Sequence, residues 1–118
     1  LNNAAYCGSK FGSIGLVQSI SREMVKYNIK VNAVCPGNYY DGPLWSDPEK
    51  GLFVKYYQAD KVPGSKGPED VKNWYFSQEI FGRGCHPLDV ARAVMYCIEQ
   101  VYETGQAIPV AGGLDMLN

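Results

Sequence analysis

The feature that most limits what this chain can fold into lies in its first third, where a helical pattern gives way within two residues to a strand. From about Ala4 to Tyr27, apolar side chains recur near helical spacing at Phe11, Ile14, Leu16, Ile20 and Met24, leaving Arg22, Glu23 and Lys26 for solvent. Tyr27-Asn28 ends that pattern. Ile29 to Cys35 then alternates with the β-branched content of a strand, and Pro36-Gly37 stops it. A helix, a tight turn and a buried strand make half of a βαβ unit, so the expected fold is α/β with parallel strands.

The first half of the helix is crowded with Gly8, Ser9, Gly12, Ser13 and Gly15. Each glycine costs a helix up to about 1 kcal/mol relative to alanine. Close approach of a backbone, a cofactor or another subunit is the expected return for that loss, because small side chains allow it. Residues 38 to 84 are broken by Gly42-Pro43, Asp47-Pro48, Pro63-Gly64 and Gly67-Pro68. Two short helices are predicted between these breaks, Glu49 to Ala59 and Glu69 to Glu79, with apolar faces from Phe53, Tyr56, Tyr57, Trp74, Tyr75 and Phe76. The stretch reads equally as a lid over a site or as a helical insertion packed on the sheet. His86-Pro87-Leu88-Asp89 then predicts a helix start, and Val90, Val94, Ile98 and Val101 its buried stripe. A last strand runs over Gln106 to Val110, at an edge or bulged because Pro109 donates no ladder hydrogen bond.

Composition narrows the function classes. Eleven basic against 12 acidic residues leave no surplus charge to neutralise a phosphate backbone, so no nucleic-acid partner is expected. No apolar run approaches the roughly 20 residues that span a bilayer, and no membrane association is expected. Cys7, Cys35, Cys85 and Cys97 form no C-x-x-C pair, and His86 is the one histidine. They read as reduced, buried structural thiols of a cytoplasmic protein, with no metal site. The opening Leu1-Asn2-Asn3-Ala4, without an initiator methionine, reads as an internal cut.

Tyr6 and Lys10 stand four apart near the start of the helix, so they project from one face. A free phenol titrates near 10 and is a poor base at neutral pH; a fixed ammonium beside it favours the phenolate. Such a pair can exchange a proton with a substrate hydroxyl or carbonyl while hydride moves to or from a cofactor. Isolated Tyr-x-x-x-Lys spacings are common on exposed helices. Here the pair is followed by small residues and then by Asn32-Ala33-Val34-Cys35-Pro36-Gly37, with Thr104-Gly105-Gln106 through Gly112-Gly113 closing the chain.

In that order the sequence resembles the short-chain dehydrogenase/reductase family over nearly its whole length. The resemblance implies the C-terminal half of a Rossmann-like doubly wound parallel sheet, with the N-terminal dinucleotide-binding half absent. It divides one domain into a catalytic helix and strand (1–37), a variable substrate or lid region (38–86), and a last helix and strand (87–118). It makes Tyr6 the catalytic acid/base and Lys10 its activator and ribose contact, both touching the cofactor. Pro36, Gly37, Asn38 and Tyr39 become the turn lying along the nicotinamide. The cofactor implied is NAD, with NADP as the alternative. The family often carries a threonine a few residues past this glycine, whereas here Asp41 is the nearest match.

Within the family, Gly37-Asn38 through Lys61-Val62-Pro63 to Arg83-Gly84-Cys85 is most similar to members acting on sugar alcohols and their phosphates. The implied partner is therefore a small-molecule substrate, and Lys61, Lys66 and Arg83 are candidate cations for a phosphate. For any single one of them, a solvated surface charge is the favoured reading. The family is oligomeric, which implies a homodimer or homotetramer for the full-length parent. Two alternatives stand beside this reading: a 3-oxoacyl reductase or other alcohol or ketone dehydrogenase, and a non-catalytic piece that associates with itself. On its own the chain is expected to be inactive, because the family's phosphate loop, serine and asparagine lie upstream of the tyrosine.

Overall fold

The computed structural model describes residues 3–114. The first helix, α1, spans Ala4–Met24 and tightens into a 3-10 turn over Val25–Tyr27. Asn28 closes it in the left-handed conformation (φ 58°), donating its N–H to the Val25 carbonyl at 2.9 Å. Asparagine tolerates that conformation better than most residues, so the helix stops where the sequence indicated. β1 follows at Ala33–Pro36, shorter than the Ile29 to Cys35 expected. Then come α2 (Pro43–Ser46), α3 (Leu52–Gln58), α4 (Pro68–Gln78), α5 (Pro87–Glu99) and β2 (Ala107–Val110).

Two compact units divide these elements. One gathers the chain up to Cys35 with Val90–Val110; the other takes Pro36–Asp89 and the residues from Ala111 on.

In the first unit β1 pairs with β2. Gly105 donates to the Val31 carbonyl at 2.7 Å and Ala33 to the Gln106 carbonyl at 2.8 Å. Both segments advance in the same direction along the ladder, so the pair is parallel. Asn32 clasps the approach to β2 from both sides: its amide nitrogen donates to the Glu103 carbonyl at 3.1 Å and its oxygen accepts the Gln106 N–H at 3.0 Å. Lys30 inserts its ammonium among the carbonyls of Cys97, Ile98 and Gln100, where α5 ends. Those carbonyls have no intrahelical partner and carry the negative end of the helix dipole, so a cation there satisfies both. At its start α5 uses a reciprocal cap. The His86 ring nitrogen accepts the Leu88 N–H at 3.3 Å, and the Asp89 carboxylate accepts the His86 N–H at 3.0 Å. The helix-start role expected of His86 is what the structure displays.

The apolar stripes of this unit depart from expectation. Phe11, Leu16 and Ile20 are exposed, as are Val94, Ile98 and Val101. Nothing lies within 4 Å of where a Cβ would stand at Gly8, Gly12 or Gly15. Periodicity identifies which face of a helix is apolar, but burial requires an opposing surface, and none covers these faces among the described residues. The buried residue of α1 is instead Ser21, only 3% exposed, whose hydroxyl donates to the Gln18 carbonyl one turn back at 2.8 Å. A Cβ at Gly105 (φ 76°) would stand 2.5 Å from the Ser21 oxygen, so that position needs glycine twice over.

The second unit holds the core. Tyr40, Trp45, Phe53, Val62 and Val71 are buried, with Leu52, Tyr56, Tyr75 and Phe76 packed against them. Tyr40, Trp45 and Phe53 lie 4.9 to 5.8 Å apart between ring centroids, and Tyr75 closes on Trp45 at 5.0 Å. Offset and edge-on pairs of this kind add to what area burial alone provides. α3 and α4 correspond to the two helices predicted, α3 beginning three residues later and ending one earlier than expected and α4 shifted by one residue toward the N-terminus, while α2 falls on a stretch read as irregular.

Gly51 makes the tightest turn of this core. A Cβ there would run into the backbone carbonyl of Trp45 and stand 2.5 Å from that of Asp47. Gly51→Ala is expected to destabilise the protein by about 1–3 kcal/mol, because backbone cannot yield as a flexible side chain can. The thermal midpoint, compared with that of Lys50→Ala, measures it.

Candidate functional site

Tyr6 and Lys10 both lie on α1 and both face solvent, Tyr6 at 61% exposure. The Lys10 ammonium sits 5.5 Å from the centroid of the Tyr6 ring. The four-residue spacing sets the ammonium toward the ring on one helix face. Ser9 donates its hydroxyl to the Tyr6 carbonyl at 2.8 Å and Ser13 donates to the Ser9 carbonyl at 2.9 Å. Two of the small residues thus spend their hydroxyls on the helix itself and leave the face beside Tyr6 low.

Pro36, Gly37, Asn38 and Tyr39 belong to the second unit. Gly37 is confined, since a Cβ there would meet the Ala111 Cα at 3.2 Å. Asn38 is held at two points: its carbonyl accepts the Cys85 N–H at 2.7 Å, and its side-chain amide donates to the Tyr40 hydroxyl at 3.2 Å. Tyr40 in turn donates to the Glu79 carboxylate at 2.5 Å. Burial, reinforced by that carboxylate, pushes the Tyr40 phenol well above its ordinary value, so it stays a donor. Tyr39 keeps its ring 43% exposed over Gly42, and Asp41 is exposed beside it.

The candidate phosphate cations divide. Arg83 is spent on Asp89 in a two-pronged pair, Nη1 to Oδ2 at 2.6 Å and Nη2 to Oδ1 at 3.2 Å, which holds the entry to α5. Lys61 lies 4.1 Å from the centroid of the Tyr56 ring. Among the three, Lys66 alone has an ammonium with no protein partner among the described residues. The cysteines are free; Cys35, Cys85 and Cys97 are half-buried, whereas Cys7, expected inside, is exposed on α1. No cluster of three metal-ligating side chains occurs, and no helix is long and apolar enough to cross a membrane, among the described residues.

The sequence places Asn32 in the turn pattern but does not disclose its clasp on the approach to β2, nor the roles of Lys30 and the Tyr40–Glu79 bond, which act across distances in sequence that no local pattern encodes.

Residues 1–47 match the family model described as short chain dehydrogenase. Sorbitol-6-phosphate 2-dehydrogenase of Escherichia coli is 32% identical over 95% of this chain and 41% of its own length. The crystal structure of sorbitol-6-phosphate 2-dehydrogenase from Erwinia amylovora superposes with a TM-score of 0.83 at 30% identity, over 98% of this chain and 43% of that one. The chain is similar to the short-chain dehydrogenase family, the model match falling on residues 1–47. A second curated member, the 3-oxoacyl-[acyl-carrier-protein] reductase of Thermotoga maritima, is 31% identical over 92% of the chain and 37% of its own length. The chain thus spans about two fifths of the length of the curated relatives it matches, and its α/β fold with a parallel strand pair is the short-chain dehydrogenase fold in part.

Proposed function

We propose that this chain carries the proton-transfer centre of a nicotinamide-dependent oxidoreductase, in a protein that oxidises a secondary alcohol of a sugar-alcohol phosphate. The observation that carries the proposal is the Lys10 ammonium set against the Tyr6 ring, in the segment that matches the family model. The fit to a dinucleotide rests on donor chemistry. Lys10 has no protein acceptor among the described residues and so keeps its N–H groups for ribose hydroxyls, and the turn Pro36-Gly37-Asn38-Tyr39 is proposed to lie along the nicotinamide, as the family resemblance implies. A bound nicotinamide would supply the acceptor for a hydride from the carbinol carbon. Tyr6 takes the hydroxyl proton as the carbonyl forms, and Lys10 stabilises the negative charge that Tyr6 carries before that transfer. In the reverse direction Tyr6 returns the proton to the new alkoxide. NAD is the cofactor proposed, NADP the alternative.

The substrate assignment follows the two sorbitol-6-phosphate 2-dehydrogenases above, and converts sorbitol 6-phosphate to fructose 6-phosphate. A second reading, reduction of a 3-oxoacyl thioester, is favoured by the comparable identity to the Thermotoga maritima reductase. The native protein is further proposed to be a cytoplasmic homodimer or homotetramer, which the exposed apolar faces of α1 and α5 support.

The deciding experiment is absorbance at the reduced-nicotinamide band with the native protein, NAD and sorbitol 6-phosphate. Turnover is expected there and none with a 3-oxoacyl thioester and NADPH. The reverse pattern moves the protein to the second reading, and silence in both assays removes the polyol and the acyl assignments together.

A further inference from the structure

The hydroxyl of Tyr40 sits where the packing has no need of it. Its ring fills the aromatic core of the second unit, and a phenylalanine would fill the same space without burying a polar atom. The carboxylate that receives this hydroxyl is equally out of place for stability. Glu79 caps the C-terminal end of α4, where the helix dipole disfavours negative charge. What the two residues accomplish together is to reach Asn38. Glu79 accepts from the Tyr40 hydroxyl at 2.5 Å, which fixes the direction of that oxygen's lone pairs, and the Asn38 amide donates to it at 3.2 Å. The Cys85 N–H holds the Asn38 main chain from the other side at 2.7 Å. Gly84 lets that strand of chain come close, since a Cβ there would stand 2.6 Å from the Tyr40 ring and 2.7 Å from the Asn38 carbonyl.

From this relay we infer that Glu79 and Tyr40 are positioning residues for the turn 36–39, and so set the affinity of the protein for its nicotinamide cofactor. The inference rests on the proposed function, which lays that turn along the nicotinamide. Neither residue touches the cofactor; both act through Asn38.

The test titrates the native protein with NADH and NADPH, following nicotinamide fluorescence, and uses the tighter-binding form thereafter. Glu79→Ala is expected to weaken binding about tenfold, because the Tyr40 hydroxyl loses its acceptor and can turn from Asn38. Tyr40→Phe should do the same, and the double variant should be no weaker than the worse single one within about twofold, as expected of residues acting through one link. Glu79→Gln keeps an acceptor oxygen and should hold the affinity within about threefold of the unaltered protein, a rescue that loss of general stability would not produce. Glu79 lies outside the ring cluster, so its variants fold even where Tyr40→Phe does not. Affinity unchanged in Glu79→Ala would overturn the inference while leaving the proposed function intact, provided Tyr6→Phe still abolishes turnover. An unaltered protein that binds neither nucleotide overturns both.

Discussion

Tyr6→Phe is expected to lower turnover of the native protein by about 10²–10⁴-fold, the usual worth of a positioned general acid/base, with cofactor affinity little changed. Phenylalanine keeps the ring that stands 5.5 Å from the Lys10 ammonium and removes only the oxygen that holds the proton. The loss should therefore fall on kcat and kcat/KM equally, as for a group used in the transition state alone. Lys10→Met separates the two duties given to this lysine. Removing the ammonium takes away both the charge that favours the phenolate and the donors offered to ribose, so KM for the cofactor should rise as kcat falls. Because Tyr6 is largely exposed on α1, neither substitution opens a cavity, and the thermal midpoint should stay put. Steady-state kinetics with cofactor and substrate varied separately make the measurement. Full turnover in Tyr6→Phe would remove the tyrosine from the chemistry, whatever the family of the chain.

Much of this is legible in the sequence, and the parts that are not share a physical cause. The helix that carries Tyr6 and Lys10, its end at Asn28, the strand behind it and the α5 start at Pro87 are all encoded within one or two turns of chain. Local pattern specifies local structure. Burial was read wrongly at Phe11, Leu16 and Ile98 because a stripe states only which face would be covered, and its covering surface is a separate fact. Residues 38 to 84 read as broken chain since their proline and glycine breaks stand out, yet they enclose the core of the second unit. The signal was the density of aromatic side chains rather than their period. Arg83 shows a further limit. An arginine in a variable region suits a phosphate, but Asp89 six residues on satisfies it first, and the Asp89 carboxylate was visible only as a helix-start residue.

Trp45→Ala should be the most destabilising single change, at about 3–5 kcal/mol. The indole is 7% exposed and meets four rings, Tyr40 at 4.9 Å, Tyr75 at 5.0 Å, Phe53 at 5.1 Å and Tyr56 at 5.8 Å between centroids. Truncation removes its share of the burial and leaves a hole among those four rings. Trp45→Phe keeps an aromatic in the site and should cost far less, about 1–2 kcal/mol. Denaturant unfolding gives the two values, and hydrogen exchange locates them. The Cys85 amide, bonded to Asn38 in the same unit, should lose protection in Trp45→Ala, because the aromatic core that fixes Tyr40 also fixes the turn. The Gly105 and Ala33 amides, bonded within the β1–β2 ladder of the other unit, should change less. A loss under about 1 kcal/mol would mean that the neighbouring rings close over the gap, and the aromatic cluster would then be a looser assembly than its ring distances imply.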